Sequence, residues 1–354
     1  MKLVVADSGQ IEARVVAWLA GERAVLDTFL RNDAKSERYA AAFAEKAGAR
    51  TLTKEEARAI DDDLAAVGIE DGDFYSDRGS TYFGRKLSKK ETPNERQFSK
   101  SMELGLGFGM GWKKFGAEVL KGMMGAKPVQ FTAPDAEKFA VNVTDFEQRP
   151  WGGGTCGGAV RDAIEYGVRL SYIDALIHFA VSDHFVRLYR DTNTRISALW
   201  RTMENALGVM APPEGDPDEI RFDAGDVKLM RHALLKPNGL RLHYPGLQRG
   251  DSGYTYIGGK SGRERTKIYG GLLTENVVQS LARDIIFEQA LWIRAEGYRI
   301  GTRTHDEIVC VVPDDQAERC YSYMISRMRT PPAWCANLPL NASGGIGQSY
   351  GSVK

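Results

Sequence analysis

The sequence lacks an excess of charge of either sign, because its 354 residues contain 47 lysines and arginines against 47 aspartates and glutamates. Taken as a total, this balance argues against a nucleic-acid-binding protein, a class in which lysine and arginine are usually in excess. A chain with 43% hydrophobic and 10% aromatic residues is also not one that is disordered over most of its length. At about 150 residues per domain, the length predicts two domains.

Cysteine is scarce, and long apolar runs are absent. The four cysteines form no CxxC pair and have no histidine at zinc-binding spacing, which excludes a disulfide framework and favours a reducing compartment. The N-terminal apolar run Leu3–Ala6 is ended by Asp7, and no stretch approaches the roughly 18 apolar residues that span a membrane. We therefore expect a soluble, cytoplasmic protein with no membrane contact.

Strand patterns lie at the two ends of the chain, and helical patterns lie between them. The first strand is Leu3–Ala6, and two late strands flank a turn at His305–Glu307 before a glycine-rich final strand. This distribution predicts an α+β fold whose sheet is assembled from both ends of the chain.

Two aspartates, Asp7 and Asp306, lie at the predicted ends of apolar strands. Two such carboxylates on adjacent strands can hold a pair of divalent metal ions about 3.5–4 Å apart. Two simpler interpretations remain open, in which Asp7 caps the following helix and Asp306 is only a turn residue.

Arg96, Lys100, Leu104 and Phe108 recur every four residues in the middle of the sequence. On a helix this spacing places them on one face, with two cations at one end and an apolar and an aromatic residue at the other. Such a face suits a polyphosphate beside a base and a sugar, although a solvated basic face beside a core stripe explains the same spacing. The phosphate-binding pattern GxxxxGK[ST] does not occur.

Together, these elements resemble the three motifs of the family A DNA polymerases, the DNA polymerase I family, in the same order. Asp7–Arg14 resembles motif A, Arg96–Gly111 resembles motif B, and His305–Glu307 resembles motif C. The segment Glu275–Asp284 is similar to the family's helix that contacts the template-primer.

The resemblance implies DNA-directed DNA synthesis by two-metal nucleotidyl transfer, with template-primer DNA and dNTPs as partners and pyrophosphate as the product released. It implies that Asp7 and Asp306 hold two Mg²⁺ ions, with Mn²⁺ as an alternative.

The resemblance also implies how the nucleotide and the DNA are bound. Arg96 and Lys100 would bind the incoming triphosphate, and Lys100 would also act as the acid that protonates the departing pyrophosphate. Further nucleotide contacts are implied for Gln10, Glu12, Tyr75, Leu104 and Phe108, of which Glu12 would exclude ribonucleotides. DNA contacts are implied for Gln279, Arg283, Asn276 and His305, and a secondary metal or primer contact for Glu307.

The sequence departs from the family pattern at three of these positions. Leu104 stands where the family usually has Phe or Tyr, Phe108 where it has Tyr, and Tyr75 where many members have His. The segments Asp73–Tyr75 and Tyr82–Arg85 resemble bacteriophage members in particular.

The resemblance also implies a domain organisation. It predicts an antiparallel palm sheet from residues 1–20 and 262–354, and a large helical fingers subdomain from residues 21–261 with insertions at about 32–72 and 122–185. The family's thumb and exonuclease have no counterpart in the sequence. We therefore expect a split polymerase of bacteriophage type, whose second polypeptide carries the thumb, the rest of the palm and a 3′–5′ exonuclease. The strand of Asp7 would then expose an unpaired sheet edge.

Two other classes of function remain open. A non-catalytic nucleic-acid-binding relic, or an accessory subunit of a replication complex, predicts damaged motifs. A two-metal nuclease has no use for the face that carries Arg96 and Lys100.

The zero net charge is the sum of opposed regions. Segments 55–73 (eight acids, one base) and 212–226 (six acids, one base) offset segments 85–115 (eight bases, three acids) and 256–270 (four bases, one acid). Phosphate binding depends on local charge, so Arg265 and Lys267 in the last segment are further candidate DNA-binding residues.

Overall fold

A computed structural model describes residues 1–48, 53–211, 222–224, 227–259 and 262–353. Most of the predicted acidic segment 212–226 and Lys260 of the basic segment lie outside the described residues. The α-helices are, in chain order, α1 (Ile11–Ala20), α2 (Arg23–Ala47), α3 (Lys54–Ala66), α4 (Phe74–Phe83), α5 (Pro93–Leu106), α6 (Trp112–Lys121), α7 (Ala133–Lys138), α8 (Val143–Gln148), α9 (Cys156–Glu165), α10 (Tyr172–Thr192), α11 (Thr194–Met210), α12 (Gly270–Ala295) and α13 (Ala317–Arg329).

The β-strands are short. They are β1 (Lys2–Ser8), β2 (Pro150–Trp151), β3 (Gly154–Thr155), β4 (Phe222–Ala224), β5 (Val227–Met230), β6 (Ala233–Leu235), β7 (Arg241–His243), β8 (Gln248–Gly250), β9 (Gly253–Gly258), β10 (Glu264–Ile268), β11 (Ile300–Thr304), β12 (Glu307–Val312) and β13 (Ala342–Gly347). Every strand pairing among the described residues is antiparallel. The predicted α+β class with an antiparallel sheet is therefore confirmed.

The chain divides into two compact units. Unit 1 comprises Met1–Gly72 and Ala198–Lys354, and unit 2 comprises Asp73–Ser197. Residues 21–72, which the domain prediction assigns to the fingers, thus lie in the same unit as the predicted palm strands. The names palm and fingers, and the two predicted insertions, stay predictions.

The central sheet of unit 1 has the strand order β11-β12-β1-β13. Val4, Val5 and Ala6 of β1 are almost completely buried, because helix α13 packs against β1 and β13. Helix α12 packs against α1, α13 and β11, and it buries Val277, Leu281 and Ile285, which lie at helical spacing on one face.

The prediction that the strand of Asp7 exposes an unpaired edge is wrong. Strand β1 lies inside the sheet, since the glycine-rich β13 pairs with it opposite β12. A Cβ atom at Gly344 would lie 1.9 Å from the carbonyl oxygen of Val5, so only glycine lets the two strands approach this closely.

Among the described residues, no helix is both long and apolar enough to cross a membrane.

A buried arginine fixes the corner between β1 and α1. The Arg14 side chain is 2% exposed; its Nε donates to the Gly9 carbonyl at 2.7 Å, and its two Nη atoms donate to the two carboxylate oxygens of Asp33 at 2.7 Å each. The guanidinium lies over the ring of Phe29, and Asn341 closes the network by donating to Asp33 and accepting from the Gly9 amide. This bidentate pair holds the backbone that follows Asp7.

We expect Arg14→Met to lower the free energy of unfolding by about 3 kcal/mol, because it leaves the Asp33 carboxylate largely buried without its partner. Urea unfolding followed by circular dichroism measures the loss. Arg31→Met is the matched control, since Arg31 is exposed and, among the described residues, its side chain bonds only to the Thr28 hydroxyl. The cost of this substitution should stay below about 0.5 kcal/mol. Equal losses in the two variants would contradict a structural role of the buried pair.

Candidate active site

The two predicted metal-binding aspartates lie at the same end of the central sheet. Asp7, the penultimate residue of β1, is the register partner of Glu307, the first residue of β12. Asp306 precedes Glu307 in the β11–β12 turn, and its carbonyl oxygen accepts a hydrogen bond from the Ser8 amide at 3.1 Å. Asp7 is exposed and Asp306 is half-buried, so both can be reached by a ligand. The N-cap of α1 is Gln10, so the helix-cap alternative for Asp7 is not realised.

Strained backbone flanks both aspartates. Gln10, three residues after Asp7, has φ 50°, and His305, directly before Asp306, has φ 54°. Left-handed backbone is unfavourable for residues other than glycine and tends to occur at functional sites, where the surrounding structure enforces it. Two of the four non-glycine residues with positive φ in the described part of the chain therefore lie beside these two acids.

Negative charge accumulates around Glu12 in the first turn of α1. The pKa of its carboxyl is raised, first because burial desolvates it and then because Glu275 and Asp306 are close enough to repel its charge. His305 acts in the opposite direction. The structure thus brings together four residues, Glu12, Glu275, His305 and Asp306, of which Glu275 had not been selected as a site residue from the sequence. The sequence could have indicated Glu275, because it lies four residues before Gln279 and therefore on the same helix face.

The residues present at this end of the sheet fit a magnesium ion. Mg²⁺ prefers oxygen ligands and is usually held by one or two carboxylates, with waters and substrate phosphates completing its shell. Asp7 and Asp306 supply two such carboxylates, and a cation there would also relieve the repulsion that Asp306 and Glu12 exert on each other. Among the described residues, no group of three or more His, Cys, Asp or Glu side chains is arranged as a metal site. The fit therefore rests on the pair of aspartates.

Glu307 differs from these two aspartates in being buried. Its side chain is 3% exposed and accepts a hydrogen bond from the Tyr350 hydroxyl at 2.7 Å. Its predicted secondary contact with metal or primer is untested.

In unit 2, helix α5 carries the predicted cationic face. Arg96, Lys100 and Leu104 are half-buried, whereas Phe98 and Met102 on the other side belong to the core. Tyr75 is 6% exposed and lies beneath the two cations, with its ring centroid 5.5 Å from Arg96 Cζ and 5.8 Å from Lys100 Nζ. The structure thus groups Arg96, Lys100 and Tyr75 as the motif resemblance implies.

Phe108 is not on the helix. Helix α5 ends at Leu106, two residues before Phe108, in a stretch where Gly105, Gly107 and Gly109 alternate. Gly109 has φ 77°, which only glycine adopts readily, and a Cβ at Gly105 would lie 2.3 Å from Met123 Cε. The prediction that Phe108 lies on the same helical face as Arg96 is therefore wrong, because the helix ends before Phe108.

The fork of Arg96 is occupied by Asp73, an ion pair that the sequence did not reveal. Arg96 Nε donates to Asp73 Oδ2 at 2.6 Å, and Nη2 donates to Oδ1 at 2.9 Å. Burial acts to raise the pKa of the Asp73 carboxyl, but the hydrogen bonds from Arg96 and Ser76 outweigh it and hold this pKa below its usual value of 3.8. Asp73 thus orients the guanidinium above Tyr75.

A buried network joins α4 to α5 behind that face. Arg78 donates to Glu103 at 2.6 Å, to the Tyr82 hydroxyl at 2.8 Å and to Asn193 at 2.6 Å. The pKa of Tyr82 is raised well above its usual value, by desolvation first and then by the Glu103 charge. This network fixes α5 from its buried side.

The predicted DNA-binding residues of unit 1 occupy two surfaces. On α12, Gln279 and Arg283 are exposed four residues apart, and Gln279 donates a long hydrogen bond of 3.5 Å to Glu275. On β10, Arg265 and Lys267 are exposed on the same face of the strand. Asn276 instead turns away and donates to the buried Tyr244 hydroxyl at 3.2 Å.

The sequence was compared with protein-family models and with known proteins. No protein-family model matches the chain. The chain is 33% identical to the DNA polymerase of Bacillus phage SP02 over 178 residues, a match that covers 47% of this chain and 26% of that protein. The chain thus spans about a quarter of the length of this relative. The similarity confirms the resemblance to bacteriophage DNA polymerases that the motifs indicate.

Among solved structures, the chain is similar to the POL domain of Pol1 from M. smegmatis in complex with DNA primer-template and dNTP. The TM-score is 0.45 at 15% identity, and the match covers 100% of this chain and 40% of that chain.

The ion pair of Asp73 predicts a pH dependence. Because the folded-state pKa of Asp73 is depressed, its contribution to stability is present above the unfolded-state pKa near 4 and is lost as the pH falls through the lower folded-state value. We expect Asp73→Asn to cost about 2 kcal/mol at pH 7 and progressively less below pH 4. Urea unfolding of wild type and variant between pH 7 and pH 3 measures how the difference in their free energies of unfolding falls with pH. Glu91→Gln, an exposed acid before α5, should cost little at any pH, and a constant cost of Asp73→Asn would contradict the ion pair.

Proposed function

We propose that this chain carries the nucleotidyl-transfer site of a family A DNA polymerase, which adds dNTPs to a primer 3′ end and releases pyrophosphate. The observation that carries the proposal is the placement of Asp7 and Asp306 at one end of the central sheet by the β1–β12 register. The similarity to a bacteriophage DNA polymerase supports it, because it adds sequence identity over 178 residues to the order of the three motifs.

Asp7 and Asp306 would hold two Mg²⁺ ions. Bound there, these ions would lower the pKa of the primer 3′-hydroxyl and neutralise the charge on the triphosphate and pyrophosphate. Glu12, half-buried beside Asp306, would close over the sugar and exclude a 2′-hydroxyl. Gln10 would position the nucleotide from the strained start of α1.

Arg96 and Lys100 would bind the triphosphate from the cationic face of α5. Lys100 makes no ion pair within the described part of the chain, so its ammonium is available to phosphate oxygens and can donate a proton to the leaving pyrophosphate from Nζ. Arg96 is held by Asp73 and would exchange this carboxylate for phosphate oxygens, which the guanidinium fork fits equally well. Tyr75 beneath both cations would hold them in position, and Leu104 and Phe108 would border the sugar and base.

Template-primer DNA would lie along the exposed residues of unit 1. Gln279 and Arg283 on α12, together with His305, would contact the duplex near the primer end, and Arg265 and Lys267 would contact phosphates further along. Asn276 would act on this surface through Tyr244 rather than directly.

The second polypeptide with a thumb, the rest of the palm and an exonuclease stays a prediction, as does the cytoplasmic location. The pairing of β1 on both sides removes the open sheet edge as an argument for such a partner.

Primer extension under single-turnover conditions tests the proposed activity, with the chain in excess over a labelled primer-template and with all four dNTPs and Mg²⁺. We expect Asp7→Asn and Asp306→Asn each to slow extension about a thousandfold, since loss of a metal ligand removes several kcal/mol of transition-state stabilisation. Asp251→Asn, an exposed acid elsewhere in unit 1, should leave the rate unchanged. DNA binding without extension would favour the non-catalytic alternative, and degradation of the DNA would favour the nuclease.

Leu104 tests whether the cationic face of α5 borders the sugar of the nucleotide. A leucine lacks the ring that packs against the sugar in most of the family, so we expect Leu104→Phe to change the ratio of dideoxy- to deoxynucleotide incorporation about fivefold, which corresponds to roughly 1 kcal/mol of ring contact. Competition between ddNTP and dNTP in a sequencing-type extension measures the ratio. Leu240→Phe, at an exposed leucine of unit 1, serves as the control. An unchanged ratio in Leu104→Phe would mean that this position does not border the sugar.

A further inference from the structure

Two arginines meet at one exposed aromatic ring beside the β11–β12 turn. The Cζ atom of Arg303 on β11 lies 3.3 Å from the ring centroid of Phe287 on α12, and the Cζ atom of Arg283 lies 5.0 Å from the same centroid. Phe287 is 38% exposed, so the ring remains open to solvent between the helix and the strand. We call these three residues the arginine pair site.

The two guanidinium groups are close enough to repel each other. The pKa of Arg303 is lowered, first by desolvation and then by the charge of Arg283. Among the described residues, neither arginine forms an ion pair. The neighbouring acid Asp284 is already occupied, because it accepts hydrogen bonds from the buried Lys236 and from Asn238. Two like charges held together without a counter-charge form a site that an anion would stabilise.

The position of the site indicates which anion it suits. Gln279, Arg283 and Phe287 are exposed at four-residue spacing, so they form one row along α12. Arg303 borders this row from β11, two residues before His305 and three before Asp306. The arginine pair site therefore continues the surface that the proposed function assigns to the primer-template.

We propose that Arg283 and Arg303, both stacked on Phe287, clamp one backbone phosphate of the bound DNA. Guanidinium forks bind phosphate oxygens bidentately, and the aromatic ring holds both cations at low entropic cost without neutralising them. Arg303 is the new member of this surface, and the inference rests on the proposed function. The contact gives affinity and position but no base specificity.

The test is the salt dependence of DNA binding by the full-length chain. Fluorescence anisotropy of a labelled primer-template is measured between 50 and 200 mM salt, with two unrelated base sequences. Loss of one phosphate contact lowers the slope of log affinity against log salt by about 0.9. We expect Arg303→Gln to lower the slope by up to that amount and to weaken binding about tenfold at low salt, equally for both sequences.

Two further variants keep the test interpretable. Arg303→Lys retains the charge, so it should retain most of the slope even where loss of the stacked guanidinium weakens binding. Arg299→Gln is the matched control, since Arg299 is exposed just before the same strand and has no aromatic contact with α12 in the described structure. Equal thermal midpoints for Arg303→Gln and Arg299→Gln confirm that the folded state is comparable.

Three outcomes would overturn the inference. Wild-type slope and affinity in Arg303→Gln would show that no DNA phosphate lies there. A loss confined to one base sequence would indicate contact with a base edge instead. An increased KM for dNTPs with unchanged DNA binding would assign the site to the free triphosphate. Failure of the wild-type chain to bind primer-template at all would instead contradict the proposed function, which the aspartate variants test separately.

Discussion

The antiparallel register between β1 and β12 is the constraint on which the rest of the structure depends. It pairs Asp7 with Glu307 and so places the Asp306 turn beside the end of the first strand, although the two residues come from opposite ends of the sequence. A slip by one residue would exchange the faces on which the β1 side chains lie, and it would move Asp7 to the opposite face of the sheet. The pairing of β1 with β12 and β13 therefore positions these acids.

Repulsion and strain at this end of the sheet are balanced by rigid packing around it. The charges of Glu275 and Asp306 repel that of Glu12, and Gln10 and His305 hold unfavourable backbone angles. The ion pair of Arg14 and Asp33 holds the backbone directly after β1, next to these charges and strained residues. Like charges and strained backbone held close together are typical of a site that binds a ligand of opposite charge.

Several features could be predicted from the sequence because they depend on local periodicity. The apolar run of β1, the turn before Glu307 and the four-residue spacing of Arg96, Lys100 and Leu104 all follow from strand or helix geometry. What the sequence did not reveal depends on contacts between distant segments. The pairing of Asp73 with Arg96, the meeting of Arg283 and Arg303 at Phe287, and the position of β13 beside β1 each join residues that no periodicity links. The zero net charge was uninformative because it averages over acidic and basic segments of the chain.

The central claim is that Asp7 and Asp306 act as one unit, and a double-mutant cycle measures this most directly. Single-turnover primer extension is compared for Asp7→Asn, Asp306→Asn and the variant that carries both substitutions. If the two carboxylates hold the same metal centre, the double variant will be no slower than the slower single variant, because either change already destroys the centre. A double variant whose loss equals the product of the two single losses would contradict the account.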